Sequence, residues 1–304
     1  MATTPAAGES APPRRRLQRR GRRLSGLAFL SPALAILLIV IALPMAVGLY
    51  QSFTDMALTR PGAPDLVGLK NYQSRVLTST FARAAGVTAS IMVLSLAVQL
   101  PIGYYLALGL SRRIPGTSLF RTILTIPMML TPVAVGLMWR FLSDPDLGFI
   151  RWIASLVERS AHPNLLGSPT GALLLIVGVS AWSHIPFVTL MLLAGLLGVP
   201  DELYEAAEVD GADRWRQRWH ITLPGIAPVL LIVCVMRLAG DYRMFDLVYT
   251  VTNGGPGSST RNLSMLAYFE GLQYYQIGRA CAIAMAMAVL ALPAFFAYRK
   301  VAKL

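Results

Sequence analysis

The sequence predicts an all-α, multi-pass membrane protein with six transmembrane helices. Of its 304 residues, 55% are hydrophobic and only 14% are charged, too few charges to coat a soluble domain of this size. Apolar runs of twenty residues or more recur along the chain, the length a helix needs to cross hydrocarbon. Basic residues gather at the flanks of those runs, where they set topology. The net charge of +12 does not point to nucleic acid, because seven of the 27 basic residues lie between Arg14 and Arg23 and most others flank apolar spans. Cys234 and Cys281 both sit inside apolar segments, make no metal-binding spacing and read as small packing residues.

Residues 1–25 are rich in Ala, Pro, Gly and Arg and hold almost no large apolar side chains, so a disordered, basic, cytoplasmic tail is expected. Residues 26–304 are expected to form the transmembrane domain. The run from Leu27 to Phe53 is too long for a cleaved signal and reads as an uncleaved first helix. Residues 54–80, with Pro61, Gly62, Pro64 and Gly68, form an external loop. A second helix is expected over Ala84–Leu110, then a short basic turn, then a third helix over Ser118–Leu142 with Pro127 and Pro132 inside it. Prolines at that depth free backbone carbonyls that neighbouring helices must satisfy. Residues 143–169 form a second external loop with an interfacial helix over Phe149–Val157, and a fourth helix follows over Thr170–Leu197. The polar stretch 200–224 separates it from a fifth helix over Gly225–Tyr249. Thr252–Gly257 must break the chain, and 258–276 is an external segment able to re-enter the bundle. The sixth helix runs over Gln276–Tyr298 and ends in Arg299, Lys300 and Lys303.

Six spans put both termini on one side. With that side inside, sixteen Lys and Arg fall in internal segments and nine fall outside or at outer helix ends. The excess favours a cytoplasmic N-terminus and C-terminus, and places 200–224 in the cytoplasm.

That stretch reads as two short helices joined at a glycine. Leu203, Ala206, Ala207 and Asp210 recur at helical spacing. Gly211 can take the left-handed conformation that ends a helix, and Asp213 can cap a second one carrying Trp215, Arg216 and Trp219. Pro224 suits the first turn of the next helix. The residues alone also allow an amphipathic helix lying on the membrane surface.

Enzyme signatures are missing: there is no GxxxxGK(S/T), HExxH, CxxC pair or GxSxG, and His162, His184 and His220 are far apart in sequence. Covalent chemistry is therefore not expected, nor ATP held by a P-loop of this chain. The informative feature is the second half of helix five, where Arg237, Asp241, Arg243 and Asp246 fall within ten positions. Charges there are expensive in hydrocarbon, so they should face the bundle interior or a water-filled cavity and pair with each other. Arg237 and Asp241 are one turn apart on a face extended by Gly240 and Met244, while Arg243 and Asp246 pair on another. Two readings stay open: the pairs line a solute path, or they are internal ion pairs that fix packing. An ion-gradient transporter using Asp241 and Asp246 is the rival from another class, and a membrane enzyme is the third.

The pattern EAA-x3-G-x9-I-x-LP, carried here by Glu205, Ala206, Ala207, Gly211, Ile221, Leu223 and Pro224, resembles the coupling loop of permease subunits in binding-protein-dependent ABC importers. Gly68-Leu69-x-Asn71-Tyr72 and the TNGGP run beginning at Thr252 resemble elements of that family's carbohydrate-uptake branch, of maltose and glycerol-phosphate type. The resemblance implies a type I importer permease fold in a bacterial cell membrane, with Asp210 also part of the coupling loop. It implies alternating access, no cofactor on this chain, and ATP and magnesium on separate subunits. The implied partners are a second homologous permease, two ATPase subunits, an extracytoplasmic binding protein, membrane lipid and a sugar-like solute. It further implies a solute path at His184, Phe187, Arg237, Gly240, Asp241 and Met244, with Arg243 and Asp246 beside it. The charged helix five departs from the amide-rich segment of maltose-type permeases, which leaves room for a phosphorylated or zwitterionic solute.

Overall fold

The computed structural model describes residues 30–111, 116–157 and 164–301. The expected tail, the basic pair Arg112 and Arg113, and Lys303 lie outside them. Among the described residues the secondary structure is helical, apart from one isolated antiparallel bridge between Thr54 and Leu66. The chain divides into two units, residues 1–50 and 51–304. The helix α1, Leu30–Ser52, accounts for the described part of the first; its mean hydropathy of 2.6 is the highest of any span.

In the second unit the order is α2 (Ser79–Leu110), α3 (Thr117–Met129), α4 (Pro132–Leu142), α5 (Phe149–Val157), α6 (Pro169–Leu196), α7 (Asp201–Val209), α8 (Arg214–Tyr242), α9 (Asp246–Thr252), α10 (Leu263–Tyr268) and α11 (Ile277–Val301). Local chemistry sets several starts. Thr78 caps α2 by accepting from Phe81 N–H at 3.3 Å, and Ser168 caps α6 by accepting from Gly171 N–H at 3.0 Å, with Pro169 in the first turn.

Among the described residues α1, α2, α6 and α8 are each long and apolar enough to cross a membrane, and α3 with α4 makes a fifth span if the bent pair is one crossing. The expected sixth span corresponds to α11, whose described apolar part is Ile277–Pro293. The interfacial helix expected over Phe149–Val157 is present as α5.

Two expected helices are broken. The third span is not continuous: α3 and α4 meet at 94°. Leu130 and Thr131 are extended, with ψ of 143° and 141°, because a residue before proline is driven out of the helical region and Pro132 follows Thr131. The fifth helix likewise ends at Tyr242 rather than Tyr249, and α9 restarts at Asp246. The backbone freed by that break is partly recovered from a distance: the buried Asn262 amide donates to the Met244 carbonyl and its Oδ1 caps α10.

The helices α2 and α6 form the central pair. One apolar cluster joins their first halves to α4 and α9 through Ile91, Val135, Ile176, Val179, Val248 and Val251. A second joins their last turns to α8 through Ala107, Val188, Leu192, Ile226 and Val233. A third packs α10 and α11 against the start of α2, through Phe81, Leu263, Leu266 and Ile283. Close approach of α4 and α9 depends on Gly136, where a Cβ would run into the Thr250 side chain.

Candidate functional site

Two sites emerge, one between the apolar clusters and one at the far end of α2 and α6.

The first is a cavity of about 630 Å³ at the two helix breaks. Pro127, Met128, Leu130 and Pro132 wall it from the α3–α4 break, and Arg243 to Leu247 wall it from the α8–α9 break. All eight residues singled out for a solute path reach this cavity: His184, Phe187, Arg237, Gly240, Asp241, Arg243, Met244 and Asp246. A pocket of apolar and aromatic walls with a few convergent polar groups is the usual form of a small-molecule site.

Its polar wall is a closed hydrogen-bonded ring. The Arg237 guanidinium donates to Asp241 Oδ1, one turn on, and its Nε donates to Gln99 Oε1 at 2.8 Å. Gln99 Nε2 donates to Ser180 Oγ at 3.3 Å, and Ser180 Oγ donates to Asp241 Oδ1 at 3.5 Å. Three helices therefore meet in one network. Arg237 and Asp241 are 5% and 1% exposed, so the pair stands only because further hydrogen bonds offset the loss of water around both charges. Asp241 Oδ2 has no hydrogen-bond partner in the protein. Sequence reasoning missed Gln99 and Ser180; the available signal was a lone amide and a lone hydroxyl deep in apolar spans.

His184 Nδ1 lies 2.8 Å from the Ser180 carbonyl. A carbonyl only accepts, so Nδ1 carries the proton, and in the neutral ring Nε2 is left as an acceptor. The expected Arg243–Asp246 ion pair does not form: among the described residues no ion pair joins them, and both are exposed. The reason is the break between Tyr242 and Asp246, which removes the shared helical face that the spacing assumed.

The second site is the polar stretch after α6. Asp201 and Glu202 occupy the first turn of α7, where a helix dipole favours negative charge. Gly211 ends it in the left-handed region, φ 73°. Gly211 N–H donates to the Glu208 carbonyl at 3.1 Å and Ala212 N–H to the Ala207 carbonyl at 2.8 Å, the paired bonds of a glycine C-cap. Asp213 then caps α8 by accepting from Arg216 N–H at 2.8 Å. The second helix of this stretch is not separate: Arg214 to Tyr242 runs as one helix of 29 residues, with Pro224 inside it.

The expected coupling residues divide into two groups. Ile221 and Leu223 pack on the second apolar cluster, and Tyr204 and Thr222 hydrogen-bond each other at 3.1 Å, so the stretch is rooted in the bundle. Glu205, Ala206, Asp210, Gly211 and Pro224 are exposed, and Ala207 is half-buried. Val209 is 89% exposed, and Trp215 and Trp219, 5.8 Å apart edge-to-face, are exposed as well.

Residues 99–303 match the family described as "Binding-protein-dependent transport system inner membrane component". The chain belongs to that family. This inner membrane component is 34% identical over 266 residues to the trehalose/maltose transport system permease protein MalF of Thermococcus litoralis, covering 87% of this chain and 90% of that relative. It is 31% identical to the trehalose transport system permease protein SugA of Mycobacterium tuberculosis, over 85% of this chain and 83% of the relative. Its fold matches a chain of a bacterial ABC transporter involved in alginate import, with a TM-score of 0.79 over 94% of this chain and 98% of the other, at 24% identity. As a family member it is a multi-pass inner-membrane protein and a permease subunit rather than an enzyme.

Proposed function

We propose that this permease carries a sugar or sugar-like solute across the membrane by alternating access, driven by ATP hydrolysis on separate subunits. The carrying observation is the exposed stretch 200–224, rooted by Ile221 and Leu223 and presenting Glu205, Ala206 and the Gly211 turn outward. Its exposed Val209, Trp215 and Trp219 suit a surface that a partner protein covers. The named relatives move trehalose and maltose, and the fold neighbour serves alginate import, which supports a carbohydrate.

In this reading two ATPase subunits dock on stretch 200–224 of this chain and its counterpart in a second, homologous permease. ATP and magnesium stay on the ATPase subunits. Their closure favours one of two permease conformations, and a loaded extracytoplasmic binding protein delivers solute to the state that opens outward. The solute passes through the cavity at the helix breaks, touching Phe187, His184 and the ring of Arg237 and Asp241. Both termini and the stretch 200–224 face the cytoplasm. The ion-gradient alternative is not favoured, since the family is defined by dependence on a binding protein.

The test is reconstitution. This chain, its partner permease and the ATPase are co-purified through a tag on this chain, placed in vesicles, and given binding protein with di- and oligosaccharides. Uptake and ATP hydrolysis should rise together only with loaded binding protein. Transport by this chain alone, driven by a proton or sodium gradient without the ATPase, would sink the proposal.

A further inference from the structure

A second, smaller cavity of about 380 Å³ lies at the end of α2 opposite the stretch 200–224. It is lined by the segment between α1 and α2 and by the first turn of α11. Its ionisable residues are Asp55, Arg60, Lys70 and Arg279. Arg60 pairs with Asp55, the sole acid among them, so that couple is neutral. Lys70 and Arg279 make no ion pair with any described residue, and the cavity is left with two uncompensated cations.

We propose that this cavity binds the phosphate headgroup of an anionic phospholipid. Four observations fit that occupant. First, depth: α2 begins at Ser79 and α11 at Ile277, and the cavity lies beside those starts, the level at which a membrane helix meets headgroups. Second, the Thr59 hydroxyl on the cavity wall offers a donor for a phosphate oxygen, while the Ser74 hydroxyl donates to the Asn71 carbonyl at 3.3 Å and helps fix the wall. The floor is fixed by Asn71, whose amide donates to the Ser52 and Thr54 carbonyls at 2.9 and 2.7 Å. Third, Arg279 lies in the first turn of α11, where a cation opposes the helix dipole, an opposition that a bound anion relieves. Fourth, Leu58, Leu66, Leu69 and Leu77 are all more than half exposed on the same segment. A loop standing in water has no use for four exposed leucines, whereas acyl chains beside a bound headgroup would cover them.

The full chain is purified into neutral phosphatidylcholine nanodiscs carrying a small fraction of phosphatidylglycerol, and the anionic lipid retained through delipidation is counted by native mass spectrometry. With each basic residue near a lipid surface contributing on the order of 1 kcal/mol, K70Q/R279Q should lower phosphatidylglycerol affinity by about tenfold or more. The matched control R83Q/R140Q removes two exposed charges elsewhere and should leave retention unchanged. Equal retention in K70Q/R279Q overturns the proposal, as does an equal loss in the control, which would indicate surface charge alone. Inorganic phosphate competing as well as lipid would reassign the site to a free anion. Loss of binding-protein affinity with unchanged lipid retention would reassign it to a carboxylate of that partner. Lys70 is exposed, so K70Q alone keeps the test open if the double variant fails to fold.

Discussion

Gln99 and Arg237, 138 residues apart in the chain, meet at 2.8 Å inside the bundle, the amide oxygen accepting from Arg237 Nε while the amide nitrogen donates to Ser180. Replacing Gln99 with Leu keeps the volume but leaves Arg237 Nε and Ser180 short of partners. An unsatisfied buried donor costs about 1–3 kcal/mol. The expected result is a lower thermal midpoint of the detergent-solubilised protein, measured by fluorescence-detected size exclusion. A midpoint equal to that of the parent would mean the ring does not contribute to stability.

The Arg237–Asp241 pair separates packing from solute handling. Removing either partner strands a buried charge, at about 3–5 kcal/mol, so each single Ala change should insert poorly. The double Ala change should recover insertion. Uptake in reconstituted vesicles should not recover, because the polar wall of the cavity is gone. A double variant with full uptake and unchanged solute preference would confine the pair to packing and shift attention to His184 and Phe187.

Gly211 is tested by its conformation alone. A Cβ there meets no atom within 4 Å, so the only penalty for a side chain is the left-handed backbone, φ 73°. Gly211→Val should cost about 1–2 kcal/mol locally and unseat the turn; Gly211→Asn should be milder, since Asn tolerates that region. Expression should hold while ATPase co-purification falls in the order Gly, Asn, Val. Equal recovery of the ATPase with all three would remove the turn from the docking surface.

Gly136 is tested by space. Alanine there would overlap Thr250, and overpacking of this kind costs about 1–3 kcal/mol. Gly136→Ala should lower the thermal midpoint, and Gly136→Ala with Thr250→Ala should regain part of it. No regain would place the strain elsewhere than the α4–α9 contact.

Orientation is tested by reporters. Fusions after Asp213 and Lys303 should report cytoplasm, and one after Ser258 should report the outside. An external signal at Asp213 would separate the stretch 200–224 from any cytoplasmic ATPase.

The parts of the site that sequence alone revealed are local ones. The caps at Asp213 and Gly211 were legible because a cap is a matter of three or four consecutive residues, and the structure forms both. The spans formed by α1, α2, α6 and α8 were legible because hydrophobic length is a property of the run itself. The convergence of His184, Phe187 and the helix-five residues came from a resemblance, and the cavity they share is a fact of the structure. The Arg243–Asp246 pair was misread because spacing was counted along a helix that stops at Tyr242.

The sequence by itself determined a helical membrane chain and the fact that Arg237 and Asp241 would share a face. Hydropathy, caps and i,i+4 spacing act over a few turns and need no knowledge of the rest of the chain. Tertiary structure decided which of the locally permitted breaks form, and it alone decided which neutral residues complete the ring. The 94° bend at Leu130–Thr131 and the gap after Tyr242 are choices among several that the prolines and charges permit, and neighbours such as Asn262 supply the partner that makes the second one tolerable. Gln99 and Ser180 are single polar residues in apolar runs, and only the packing of α2 against α6 and α8 brings them to Arg237 and Asp241, because a hydrogen bond requires contact that one-dimensional spacing does not encode.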